Sequence, residues 1–243
     1  MHGSAPPLWL AALGAALALI GALLGNWQLE RADANRVLRE RFAAGAALPP
    51  LAFDGPPATL DEDLRYRRVR IAGEYVPEPQ FLLDNRVQSG QVGYEVLTLF
   101  RPAAGEPWML VNRGWLAADP DRRILPEVGV AGGERVVVGM LDRLPRAGLA
   151  LDGAVPRPEA LPPVSVVSFP TAADLEALAG RSLADLQLKL DEGEPDGFER
   201  ARELPGLPPE RNLAYAGQWF LLAALAAAGA VYVVIAAVRR RER

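Results

Sequence analysis

Two short motifs set a guanidinium beside a side-chain amide: Asn85-Arg86 and Asn112-Arg113, the second followed at once by Gly114-Trp115. A guanidinium is a planar fork of donors that matches a carboxylate or phosphate. The two arginines could therefore hold an anionic group, or each could close a strand end onto a carbonyl or an acid such as Asp84. Trp115, one step after a glycine, reads as core. Beyond these motifs the reactive inventory is thin. The chain has no cysteine and one histidine, His2. Disulfides, thiolate catalysis, Cys-ligated metals, a His-based triad and a bis-His haem cage within one copy are thereby excluded. Asp61-Glu62-Asp63 and Asp191-Glu192-Gly193-Glu194 lack the spacing of a divalent-cation loop and read as solvated surface. There is no phosphate loop, Gly-x-Ser-x-Gly elbow or HExxH helix. No catalytic residue and no metal ligand set is expected, so the chain reads as a non-enzyme. A net charge of -4 without a basic stripe argues against nucleic acid.

A second group of side chains lies at the ends of two apolar runs. Trp27 and Gln28 follow the first run, and Tyr215, Gln218 and Trp219 lie early in the second. At helical spacing Tyr215, Gln218, Trp219 and Leu222 share a face. Aromatic residues at such positions suit a membrane interface belt. Amides near hydrocarbon need partners, and Gln28 and Gln218 could supply one another across two packed helices. A planar amphipathic ligand would also suit such an interface.

The elements that must position these residues begin with the runs themselves. Residues 8–25 and 213–238 carry no charge and are each about long enough to cross a bilayer core. The first lacks a preceding Lys or Arg and exceeds a typical signal-peptide core, so it is expected to be a retained anchor. Arg239, Arg240, Arg241 and Arg243 follow the second directly. They place both termini on the cytoplasmic side, outweighing Arg31, Arg36, Arg39 and Arg41 because the tail is denser and closer to its span. Residues 26–57 read as a helix leaving the membrane to about Phe42, then a Gly- and Pro-rich linker from Ala43 to Pro57.

Residues 58–210 read as a β-rich domain. Strands are expected at Val69-Arg70-Ile71, Gly73–Val76, Phe81–Leu83, Gly93–Phe100, Trp108–Trp115, Glu134–Leu141, Val164–Phe169 and Leu183–Leu190. Thr171 caps a short helix that Gly180 stops. Phe81-Leu82-Leu83-Asp84-Asn85-Arg86 and Trp108-Met109-Leu110-Val111-Asn112-Arg113 echo each other and read as neighbouring strands, each ending in an Asn-Arg pair. The fold class expected is α+β: two transmembrane helices flanking a mainly antiparallel sheet or partly closed barrel with one short helix.

Several motifs occur in order along nearly the whole chain. They are Gly25-x-Trp27-Gln28-x-x-Arg31, Gly73-x-Tyr75, Asn85-Arg86 with Gly93-Tyr94, Leu110-Val111-Asn112-Arg113-Gly114-Trp115, and Tyr215-Ala216-x-x-Trp219-Phe220. Together they resemble the surfeit locus protein 1 family of cytochrome c oxidase assembly factors. The resemblance implies a two-pass protein of the bacterial inner membrane with a periplasmic domain. It also implies a non-catalytic role in haem a delivery or in maturation of oxidase subunit I, with subunit I and haem a synthase as partners. Trp27, Gln28, Arg31, Asn212, Tyr215, Gln218 and Trp219 become the expected haem- or partner-binding surface. Two positions depart from the family pattern. The family usually has histidine, its proposed haem a ligand, where this chain has Asn212, and asparagine is a poorer iron ligand than imidazole. The family's lysine four residues beyond Arg31 is Asn35 here. The competing expectation is a double-anchored structural or sensory module that binds another envelope protein and has no haem role.

Overall fold

The computed structural model describes residues 7–57, 59–145, 162–168, 170–200 and 204–242. His2, Phe169 and Arg243 lie outside them. The chain divides into two compact units, Met1–Arg41 with Leu204–Arg243, and Phe42–Glu203.

In the first unit, α1 (Trp9–Ala47) and α3 (Pro209–Arg241) pack as an antiparallel hairpin. Both are long and apolar enough to cross a membrane. A seam of sheltered positions runs along α1 at Gly14, Ala18, Gly21, Gly25, Gln28, Ala32, Asn35 and Arg39, and along α3 at Asn212, Ala216, Trp219, Ala223, Ala226, Ala230, Val233 and Ala237; other sheltered residues, Leu24, Leu38 and Ala236 among them, lie beside it. Both series alternate steps of four and three, the period of a left-handed helix pair. Small residues let the backbones approach: a Cβ on Gly14 would lie 2.9 Å from Ala230 Cβ, and one on Gly21 would lie 3.0 Å from Ala223 Cβ. The helix α1 runs on through Ala43–Ala47, part of the stretch expected to be linker, because Ala-rich sequence extends a helix until Pro49-Pro50. A three-residue strand, β1 (Leu51–Phe53), occupies more of that stretch.

The second unit is a barrel. Its strands are β2 (Arg68–Gln88), β3 (Gln91–Pro102), β4 (Trp108–Ala117), β5 (Glu134–Asp142), β6 (Val164–Val167) and β7 (Leu183–Leu190), with α2 (Ala172–Ala179) before β7. Pairing runs β2-β3-β4-β7-β5 and returns to β2, so the ring closes. Three strands expected from sequence are one: β2 continues from Arg68 to Gln88 through register shifts after Tyr75 and after Leu83. Such bulges bend a strand, which lets β2 pair with β5 in its first third and with β3 and β6 further on. The sheet is mainly antiparallel, as expected, with β2–β3, β3–β4, β2–β5 and β5–β7 all antiparallel. It is nonetheless mixed, because β1 and β6 pair parallel with β2, and β7 pairs parallel with β4. Side-chain alternation reports which face is buried and carries no information on strand direction.

One buried cluster draws on all five ring strands and fills the interior, including Ile71, Tyr75, Phe100, Met109, Val111, Val137, Leu141 and, as expected, Leu186, Leu188 and Leu190. A second lies under α2, where Leu175 meets Phe81, Leu83, Leu97, Leu99 and Leu110. The short helix forms as its sequence demands: Thr171 and Asp174 make a reciprocal capping box, and Gly180 closes it at φ 63°.

Candidate functional site

The two Asn-Arg motifs sit on β2 and β4, the strands either side of β3. Neither motif ends its strand. Asn85 occupies the bulge of β2 at φ 56°. Arg86 Nε donates to Glu95 Oε1 of β3 at 3.0 Å, and Asn112 Nδ2 donates to Glu95 Oε2 at 2.7 Å. The same Asn112 nitrogen donates to Gln187 Oε1 at 3.0 Å, and Gln187 Nε2 donates to the Arg143 carbonyl at 2.8 Å. Trp115 Nε1 then ties back to the Arg86 carbonyl at 2.9 Å. The echo in sequence is thus two arms clasping one carboxylate. Glu95 and Gln187 were not expected to matter: β3 and β7 carry other polar residues, Thr98, Asp185 and Lys189 among them, and nothing in the sequence marks these two.

Arg113 is 2% exposed. Its Nε donates to the Asp196 carbonyl at 2.7 Å, Nη1 to the Val128 carbonyl at 2.8 Å and to Thr98 Oγ1 at 3.4 Å, and Nη2 to the Gly129 carbonyl at 3.3 Å. Its guanidinium also stacks over Phe198 at 5.0 Å. Burial lowers its pKa from the ordinary arginine value. Two loops are therefore stapled to β4 by one cation. Gly114 follows at φ 113°, where a Cβ would lie 2.7 Å from the Glu199 carbonyl oxygen. Of the two readings of these motifs, the contacts made are architectural. Nearby, the Tyr75 hydroxyl is buried without a hydrogen-bond partner among the described residues. Burial pushes its pKa up to about 12, against the opposing charge of Arg113.

The membrane-proximal residues belong to the hairpin. Asn35 Nδ2 donates to Asn212 Oδ1 at 3.0 Å, and Asn212 Nδ2 donates to Gln28 Oε1 at 2.7 Å. Gln28 therefore pairs with Asn212 and not with Gln218, because Gln218 lies off the seam and is exposed. Asn35 and Asn212, the two positions expected to depart from the family pattern, are bonded to each other. Asn35 and Asn212 are each 5% exposed.

The seven-residue phase of the seam also sorts the flanks. Trp27 and Arg31 fall on the side of α1 next to Gln28; Tyr215 and Gln218 fall on the side of α3 next to Trp219. In an antiparallel pair these two flanks adjoin. Trp27 is 55% and Tyr215 47% exposed, and Arg31 and Gln218 are also open, while Trp219 is partly sheltered. The arrangement is one outward surface that combines aromatic rings, a cation and amides beside apolar helix. No cluster of acidic or histidine side chains fit to hold a metal ion occurs among the described residues.

The family model for SURF1 matches residues 15–224, which takes in most of α1, the barrel and the first half of α3. The chain belongs to the SURF1 family. An uncharacterized SURF1-like protein of Mycobacterium tuberculosis is 29% identical over 98% of this chain and 87% of its own length. The cytochrome oxidase assembly protein SHY1 of Saccharomyces cerevisiae is 27% identical over 54% of this chain and 35% of its own. Surfeit locus protein 1 of Takifugu rubripes is 30% identical over 49% of this chain and 55% of its own. The SURF1 match extends across the Asn-Arg-Gly-Trp staple and the amide-bearing seam alike.

Proposed function

We propose that this chain is a non-catalytic membrane factor for assembly of a cytochrome oxidase, with its termini in the cytoplasm and its barrel on the periplasmic side of a bacterial inner membrane. Membership of SURF1 and the name of the yeast relative support the assembly role. The observation that carries the site is the gathering of Trp27, Arg31, Tyr215 and Gln218 on one outward flank of the hairpin, with Trp219 and Gln28 behind them. That surface suits a planar amphipathic cargo such as haem a, or a helix of subunit I, presented from the bilayer. Its rings would stack, and Arg31 would pair with a propionate or another carboxylate.

The donor set bears on how such a cargo is held. His2 is the only histidine, and Met109 and Met140 belong to the barrel. The flank offers no imidazole, thioether or thiolate, and Tyr215 is its one side chain of a type that ligates haem iron, so stacking and charge pairing dominate its chemistry. That favours transient handling of haem a over storage.

Deleting the gene and measuring oxidase activity and haem a content of membranes tests the role; an unchanged, fully haemylated oxidase would refute it. Complementation with Arg31→Ala/Tyr215→Ala tests the flank. Normal levels of the variant with impaired oxidase are expected, and full complementation would remove the flank from the proposal. Reporter fusions after Arg243 and between Ala43 and Pro57 test the topology, which a periplasmic signal at the C-terminus would overturn.

A further inference from the structure

The hairpin has a register problem. Its two helices are joined by residues 48–208 rather than by a tight turn. The small residues of the seam repeat every seven positions: Gly14 and Gly21 on α1, Ala223 and Ala230 on α3. A slide by one such repeat, about 10 Å at the rise of an α-helix, puts small residues against small residues again. Gly14 meets Ala223 in one direction, and Gly21 meets Ala230 in the other.

The amides are not degenerate in this way. Gln28 and Asn35 are also one repeat apart on α1, and Asn212 lies between them opposite Ala32, bonded to both. In the slide that brings Gly14 to Ala223, Asn212 moves opposite Gly25. It can still reach Gln28, but Asn35 loses its partner. In the slide that brings Gly21 to Ala230, Asn212 moves opposite Arg39. It can still reach Asn35, but Gln28 loses its partner. Only the observed register satisfies all three side chains, and a sheltered amide without a partner is strongly disfavoured.

We infer that Gln28, Asn35 and Asn212 form a register lock for the membrane hairpin, each outer amide blocking one direction of slip. A single polar layer in an otherwise apolar helix seam is an effective specifier of register. The lock sets which residues of α1 and α3 adjoin along the flank, including Arg31 and Tyr215.

The absence of native cysteine makes a cross-linking test clean. Full-length chains in native membranes would carry one of three cysteine pairs: Gly21→Cys/Ala223→Cys for the observed register, Gly14→Cys/Ala223→Cys and Gly21→Cys/Ala230→Cys for the two slides. With the amides intact, only the first pair should form the intramolecular disulfide. Gln28→Leu should raise the Gly21→Cys/Ala230→Cys product at least tenfold and leave the Gly14→Cys/Ala223→Cys pair at background. Asn35→Leu should do the reverse. This crossed pattern is what the lock requires. If neither variant opens a slipped register, small-residue packing alone fixes the hairpin and the inference fails. It fails equally if both variants open the same slide, or if either loses all three products, since the amides would then hold the helices together without choosing their alignment.

Discussion

Arg113 makes four hydrogen bonds from a nearly closed site, to the carbonyls of Asp196, Val128 and Gly129 and to the Thr98 hydroxyl. Arg113→Lys keeps the charge but replaces a fork with a point. An ammonium near the Nη1 position can keep Val128 and Thr98, and it loses the Nε bond to Asp196 and the Nη2 bond to Gly129. Hydrogen bonds involving a charged group contribute roughly 1.5–3 kcal/mol each, with the longer Gly129 contact at or below the lower end. The expected loss is therefore about 2–4 kcal/mol. Arg113→Met removes every donor and strands the carbonyls of Val128 and Asp196 against an apolar chain, for roughly 4–6 kcal/mol, in keeping with breaking a buried charged network. Equilibrium unfolding of the full chain in mixed micelles, followed by tryptophan fluorescence, measures both. The order should be native, Lys, Met. A Lys variant within about 0.5 kcal/mol of native, on the scale of an ordinary surface change, would show that fork geometry does not hold these loops. If Arg113 instead held an exogenous anion, added phosphate would stabilise the native chain, and no such shift is expected.

Tyr75→Phe removes a buried hydroxyl that has no partner among the described residues, so stability at neutral pH should be unchanged or rise by up to about 1–2 kcal/mol. The same variant should flatten the alkaline limb of stability. The phenol's folded pKa of about 12 exceeds its unfolded value, so its contribution is present below about pH 10 and lost as pH rises toward 12. Thr171→Ala should weaken α2 by about 1 kcal/mol in denaturant melts. Hydrogen bonds from the Thr171 side chain, then from its backbone, hold Asp174 below the usual carboxylate range, so the cap's contribution is present above about pH 4 and lost as pH falls below it. A pH-independent effect of Thr171→Ala would contradict this account. Purified after co-expression with haem a synthesis, the native chain should carry little or no haem in visible spectra, because Asn212 is turned into the seam and bonded to Gln28 and Asn35. Stoichiometric, histidine-type spectra from the unmodified protein would refute the reading of Asn212.

The sequence by itself determined the elements whose signals are local. Two uncharged runs specify long apolar helices because length and hydropathy are properties of the run alone. Thr171, Asp174 and Gly180 specify the ends of α2 because capping is satisfied within one turn. Alternating leucines placed Leu186, Leu188 and Leu190 on one face because the strand period is two. The SURF1 motifs were legible for a similar reason, as short strings with fixed spacing. The tertiary structure decided everything that depends on partners distant in sequence. Closure of the ring rests on β5 returning to β2, and the parallel pairing of β7 with β4 follows from its path through α2; neither leaves a mark on side-chain pattern. Arg113 could have faced a ligand or its own loops, and only the placement of Val128, Gly129 and Asp196 gives it the loop carbonyls to which it donates. The same holds for Gln28: two amides near hydrocarbon predicted a partner, but the phase of one helix against the other selected Asn212 over Gln218. Local sequence sets what a residue can offer, and long-range packing sets who receives it.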